Sequence, residues 1–75
     1  MDPQVKVIAQ IIQERRMQDR QWGGATHDDE HSHDDWLKYI LYQIDRSRFD
    51  EDRRARLIKV AALAVAAVEA IDRSK

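Results

Sequence analysis

Three stretches of the chain carry apolar residues at the three- and four-residue spacing of a helix, and the helix breakers fall between them. Val5, Ile8, Ala9 and Ile12 share one face, with Asp2 placed as a cap and Pro3 in the first turn, so a first helix is expected over about residues 3–22. Its second half, Gln-Glu-Arg-Arg-Met-Gln-Asp-Arg-Gln from Gln13 to Gln21, is polar almost all round and ends at Trp22 and the Gly23-Gly24 break. A connecting loop is expected over about residues 23–33. Ser32 and Asp35 then have the spacing of a capping box, and Trp36, Leu37, Ile40, Leu41 and Ile44 form a single stripe, which gives a second helix over about 34–47. Asp50 is placed to cap a third helix, over about 51–73, with Glu51 and Asp52 at its positive end and Arg73 and Lys75 at or beyond its negative end.

That last helix is unusual. From Leu57 to Ile71 it is apolar at every position except Lys59 and Glu69, whereas a helix on the surface of a small monomer shows a wide polar stripe. It therefore has to be covered on most sides. The unbroken apolar run, Val60 to Val68, is far shorter than the ~20 residues needed to cross a bilayer, so no membrane is expected as a partner. Two amphipathic helices cover only part of such a surface, and the simplest way to cover the rest is another copy of the chain. The expectation is an all-α, three-helix protein of one domain, residues 1–75, that forms a homo-oligomer, a dimer in the first instance, through residues 57–71.

Composition narrows the chemistry. The chain has no cysteine, so disulfides, thiol catalysis and thiolate metal sites are excluded, and His and carboxylate remain as the strong ligands. Thirteen basic against fourteen acidic residues leave the chain near neutrality. Arg46, Arg48, Arg53, Arg54 and Arg56 make a basic turn, but Asp45, Asp50, Glu51 and Asp52 are interleaved with them, so local ion pairs are expected there and nucleic acid is not. The start, Met-Asp-Pro-Gln-Val-Lys, lacks the basic and apolar regions of a signal peptide, and a cytoplasmic location is expected.

All three histidines and five of the acids lie in His27 to Asp35, which reads His-Asp-Asp-Glu-His-Ser-His-Asp-Asp. A charged run between helices is ordinarily a solvated connector, and acids at helix starts follow from capping alone, which accounts for Asp34 and Asp35. Three histidines are not what such a connector uses. If Thr26 caps a short helical turn, His27 and His31 fall one turn apart with Asp28 close to both, which is ligand spacing for a divalent metal such as Zn, Ni, Mn or Fe. The helix of a metalloprotease is not completed, because no Glu follows His27. From the preceding helix, Glu14, Arg15, Gln18 and Trp22 reach towards the same loop. A forked cation, a stacking ring and His or Asp acceptors together are the parts of a pocket for a nucleotide-like ligand. The same residues also suit a plainer role, in which Glu14 and either Arg15 or Arg16 pair with one another or with the acidic loop, and Trp22 and Trp36 bracket the loop as hydrophobic pins. Nucleophilic catalysis has no support, since Ser32 lies in no Gly-x-Ser-x-Gly elbow, and Gly23-Gly24 lacks the Lys-Ser/Thr of a phosphate loop.

The pattern Glu14-Arg15, Gln18, Trp22-Gly23-Gly24, His27-Asp28-Asp29, His31-Ser32 and Asp35-Trp36, followed by the alanine-rich helix through Glu69, resembles a group of short all-α proteins encoded by phages and prophages. The resemblance spans nearly the whole chain. It implies a bacterial host cell as the setting and action against host defence, either by blocking a protein of a defence system or by capturing a nucleotide signal, without catalysis. A weaker similarity, to the MazG-like all-α nucleotide pyrophosphohydrolases, rests on the Glu69 and Asp72 spacing and the oligomeric helical reading. It implies an alternative in which paired carboxylates hold a divalent metal for nucleotide hydrolysis. The Glu-Glu-x-x-Glu helix of that family is missing, so Glu14 with Asp28 or Asp29 would have to stand in for it.

Overall fold

A computed structural model describes residues 2–49 and 51–74. Among these there are four helices and no strand: α1 (Pro3–Trp22), α2 (Gly24–Asp29), α3 (His33–Arg46) and α4 (Arg53–Arg73). The all-α class is as expected, but the count is four rather than three, because the segment expected as a loop contains the six-residue α2. The capping role given to Asp50 and the favourable charge given to Lys75 lie outside the described residues.

The ends of the helices follow from local chemistry. The Asp2 carboxylate accepts from the backbone N–H of Gln4 at 2.7 Å and of Val5 at 3.3 Å, while Pro3 occupies the first turn, where no donor is lost. Helix α1 stops at Gly23, whose φ of 100° is a left-handed conformation that side-chain-bearing residues rarely adopt. The same glycine precedes the first residue of α2, so α1 and α2 meet at a corner of one residue. At α3 the capping box is complete: Ser32 Oγ accepts from Asp35 N at 3.1 Å and the Asp35 carboxylate accepts from Ser32 N at 2.9 Å. At its other end the Ser47 hydroxyl donates to the Ile44 carbonyl at 2.6 Å, and short-range turns carry the chain on to Phe49.

Helix α4 is the centre of the molecule. It packs against α1 on one side and α3 on the other, α2 joins α1 and α4 at one end, and α1 and α3 do not pack on each other. Small side chains explain the central place. Ala62 and Ala66, one turn apart on α4, are fully covered, and Trp36 of α3 is the only large buried apolar residue among those described. Polar ties run from α4 to each of its neighbours: Lys59 to Glu14 and Glu69 to Arg15 on α1, Arg73 to Asp29 on α2, and Arg56 to Gln43 on α3.

This core is small for the apolar content of the chain. Val5, Ile8 and Ile12 on α1, Leu37, Leu41 and Ile44 on α3, and Leu57, Val65, Val68 and Ile71 on α4 all remain more than a third exposed. Each such side chain forgoes part of the roughly 1.5–3 kcal/mol that full burial contributes. No described helix is long and apolar enough to cross a membrane.

Candidate functional site

The end of α1, α2 and the facing sides of α3 and α4 enclose an open cleft of about 500 Å³, a size usual for small-molecule sites. Of the residues singled out from the sequence, Glu14, Gln18, Trp22, His27, Asp28 and His31 line it. Arg15 lies behind this wall and ties it together.

Arg15 is 12% exposed in its side chain. Its guanidinium reaches the Gln18 amide oxygen at 3.4 Å, Asp28 at 3.5 Å and Glu69 at 3.2 Å, and lies 3.1 Å from Asp19 without the alignment of a hydrogen bond. One cation thus gathers groups from α1, α2 and α4. Asp28, only 7% exposed, is the buried acid of the site. Burial pushes its carboxyl above the ordinary 3.8; Arg15 pulls the other way without cancelling that effect. Lys59 donates to Glu14 at 2.7 Å on the cleft floor, and nearby Arg56 holds Gln43 at 3.1 Å.

The wall above is a row of rings. Trp22 stacks on His27 at 6.2 Å between centroids, His27 meets His31 edge-on at 4.7 Å, and His31 meets Trp36 at 4.8 Å and Tyr39 at 5.2 Å. The row exists because α2 is helical and the chain continues past it in a tight turn, with Glu30 N donating to the His27 carbonyl and His31 N to that of Asp28. Thr26 does not cap this turn as expected; it lies inside α2, which begins at Gly24. His31 also forms part of a second, smaller hollow of about 260 Å³ that includes His33, Asp29 and Arg73, so His31 and Trp36 stand between the two.

The residues of the metal expectation, His27, Asp28 and His31, line the cleft together. Among the described residues no three His, Asp or Glu side chains are gathered so as to hold an ion. The histidine rings meet edge to face, and the Asp28 carboxylate is turned to Arg15. Three of the carboxylates that a hydrolase would use are engaged by cations of the chain: Glu14 by Lys59, Glu69 by Arg15 and Asp29 by Arg73. The plainer expectation, that Arg15 pairs with the acidic segment, does describe what Arg15 does.

Sequence reasoning missed Tyr39, Tyr42 and Gln43 on α3 and Arg56, Lys59 and Leu63 on α4, all of which line the cleft. The signal was present as spacing. Tyr39 with Gln43, and Arg56 with Lys59 and Leu63, recur at three- and four-residue steps and so share one side of their helices. The chain matches no family model, no curated protein and no solved structure.

Proposed function

We propose that the chain is a binding protein whose cleft captures a small nucleotide-like ligand without turning it over. The observation that carries this reading is the pairing, in one cleft, of ring-bearing walls with cations: Trp22, His27, Tyr39 and Tyr42 beside Arg56 and Lys59. A base stacks on the rings, with stacking on an aromatic side chain contributing about 1–3 kcal/mol. Phosphate oxygens meet the guanidinium of Arg56 and the ammonium of Lys59, which would exchange Glu14 for the ligand. Asp28, held in place by Arg15, accepts from sugar hydroxyls or base N–H groups. In this reading the protein works in the cytoplasm of a bacterial host, against host defence, as a homo-oligomer held through residues 57–71.

Native mass spectrometry of freshly purified protein, with and without chelator, followed by titration with nucleoside mono-, di- and triphosphates and cyclic dinucleotides, tests the proposal. The expected result is a nucleotide bound in the absence of added metal and recovered chemically unchanged after denaturation. Trp22→Ala and Lys59→Ala should each weaken binding by about tenfold or more. A metal-dependent product would replace this reading with the pyrophosphohydrolase. Failure to bind any nucleotide, alongside capture of a defence protein, would replace it with a protein inhibitor.

A further inference from the structure

The side of the molecule turned away from the cleft has its own pattern. A helix advances about 100° per residue, so residues two positions apart lie on roughly opposite sides. On α4, Lys59, Leu63 and Ala66 line the cleft, and two positions from them stand Leu57, Ala61, Ala64, Val65 and Val68. On α3, Tyr39 and Tyr42 line the cleft, and two positions away stand Leu37, Leu41 and Ile44. On α1, Glu14 and Gln18 line it, and two positions from them stand Ile12, Arg16 and Arg20, with the apolar part continued towards the start of the helix by Ile8 and Val5. Since α4 packs between α1 and α3, helical geometry would set rows lying away from the cleft on each helix side by side, with the α4 row in the middle.

We propose that this face is a self-complementary interface and that a second copy of the chain covers it along all three long helices. The proposal rests on the self-association put forward above and enlarges it from one helix to three; it does not depend on the identity of the ligand. Three observations argue for a second copy as the occupant. The rows have the spacing of helices that pack on helices: 57, 61, 64, 68 and 71 on α4 alternate steps of four and three, as do 37, 41 and 44 on α3 and 5, 8 and 12 on α1. The α4 row contains no charge and sets two alanines between larger residues, which gives both the knobs and the holes that a twofold contact needs from a single surface. The third is area. The protomer exposes 5763 Å², against about 4,800 Å² for a compact monomer of 8.8 kDa. The excess, on the order of 1,000 Å², is close to the roughly 800 Å² that each partner buries in an interface of standard size.

The arrangement is back to back. It leaves both clefts facing outward, completes neither with a residue of the partner, and gives one independent ligand site per chain.

Light scattering after gel filtration, over a range of concentrations, tests this on the full chain and on Ile8→Glu, Leu41→Glu and Val68→Glu, with circular dichroism as the check on folding. The expected result is a dimer for the parent chain and dissociation at least about tenfold easier for each variant, one from each helix. If only Val68→Glu weakens the dimer, the contact is confined to α4 and the three-helix face is wrong. A parent chain that stays monomeric overturns the proposal outright, without touching the nucleotide titration of the cleft. Variants that do not fold are bypassed by cysteine labelling, since the chain has no cysteine of its own. In Leu41→Cys a bulky maleimide should react more slowly as protein concentration rises, while in Gln21→Cys, at the cleft, its rate should stay constant. Concentration-independent labelling at position 41, or protection at position 21, overturns the back-to-back dimer.

Discussion

Asp28 and Asp35 lie seven positions apart with His31 and His33 between them, and their surroundings move their acidities in opposite directions. Asp28 is raised by burial, so the fold favours its neutral form. Its contribution to stability is therefore complete below the unfolded value near 3.8 and is lost as pH rises through the higher folded value. Asp35 is lowered, chiefly because its carboxylate accepts the Ser32 backbone N–H, so its contribution is present above 3.8 and is lost as pH falls through the lower folded value. Urea midpoints of the parent, Asp28→Asn and Asp35→Asn chains between about pH 3 and 7 should show this. Relative to the parent, Asp28→Asn should gain stability with rising pH and Asp35→Asn should lose it. Two differences of the same sign would mean that Asp28 is not held in a desolvated place. Arg15 reaches the same buried acid as one of four partners, with Gln18, Asp19 and Glu69 the others, so loss of the Arg15 guanidinium should disturb the cleft wall without removing any group that lines it.

At the scale of elements, the short helix α2 decides whether the rings form a row. Its direction is set by Gly23, where alanine would have to adopt a φ of 100°. The added Cβ would meet His27 Cβ at 3.6 Å, an ordinary contact, so the cost of Gly23→Ala is that of the backbone, about 1–2 kcal/mol. We expect a lower urea midpoint by that amount and weaker nucleotide binding, with the helical content of α1 and α3 retained; unchanged stability would mean that the corner is not held left-handed. The limits of α1 were legible because Asp2, Pro3 and Gly23 punctuate it, and α3 because Ser32 and Asp35 do. The helix α2 was not, since six residues with one apolar side chain, Ala25, carry no periodic stripe; what holds it is Arg15 on Asp28 and Arg73 on Asp29, contacts with residues far along the chain. The α1 and α2 side of the cleft was legible as a cluster of unusual residues. On its α3 and α4 side the shared helix faces were legible but their place in a site was not, because Tyr39, Gln43 and Lys59 are polar or half-polar residues whose ordinary place is in solvent until α4 is known to lie between α1 and α3.

The whole molecule is a layer of three long helices with a polar, ring-lined front and an apolar back. A core of Trp36, Ala62 and Ala66 is little for a chain of 75 residues, and domains of this size usually draw stability from a metal, disulfides or a partner. If a second copy supplies it, folding and association are linked, and the thermal midpoint should rise by several degrees over a hundredfold increase in protein concentration. A midpoint that does not move would place the missing stability within the single chain. Helix α4 organises the molecule, since one side of it carries the cleft floor, two flanks hold α1 and α3, and its remaining side faces away from all of them.

The one-residue corner at Gly23 has a consequence for how the chain can change. Exposed corners between helices are where insertions and deletions are ordinarily absorbed, because a loop takes up the extra length. Here there is no loop to take it up. One residue added to the stretch between Gly23 and His27 turns everything after it by about 100° about the axis of α2, which swings His27 away from Trp22 and Asp28 away from Arg15. Length at this corner is therefore under tighter constraint than residue identity over most of the surface. The turn between α3 and α4, where Phe49 is 84% exposed, is the place where extra residues should be accepted.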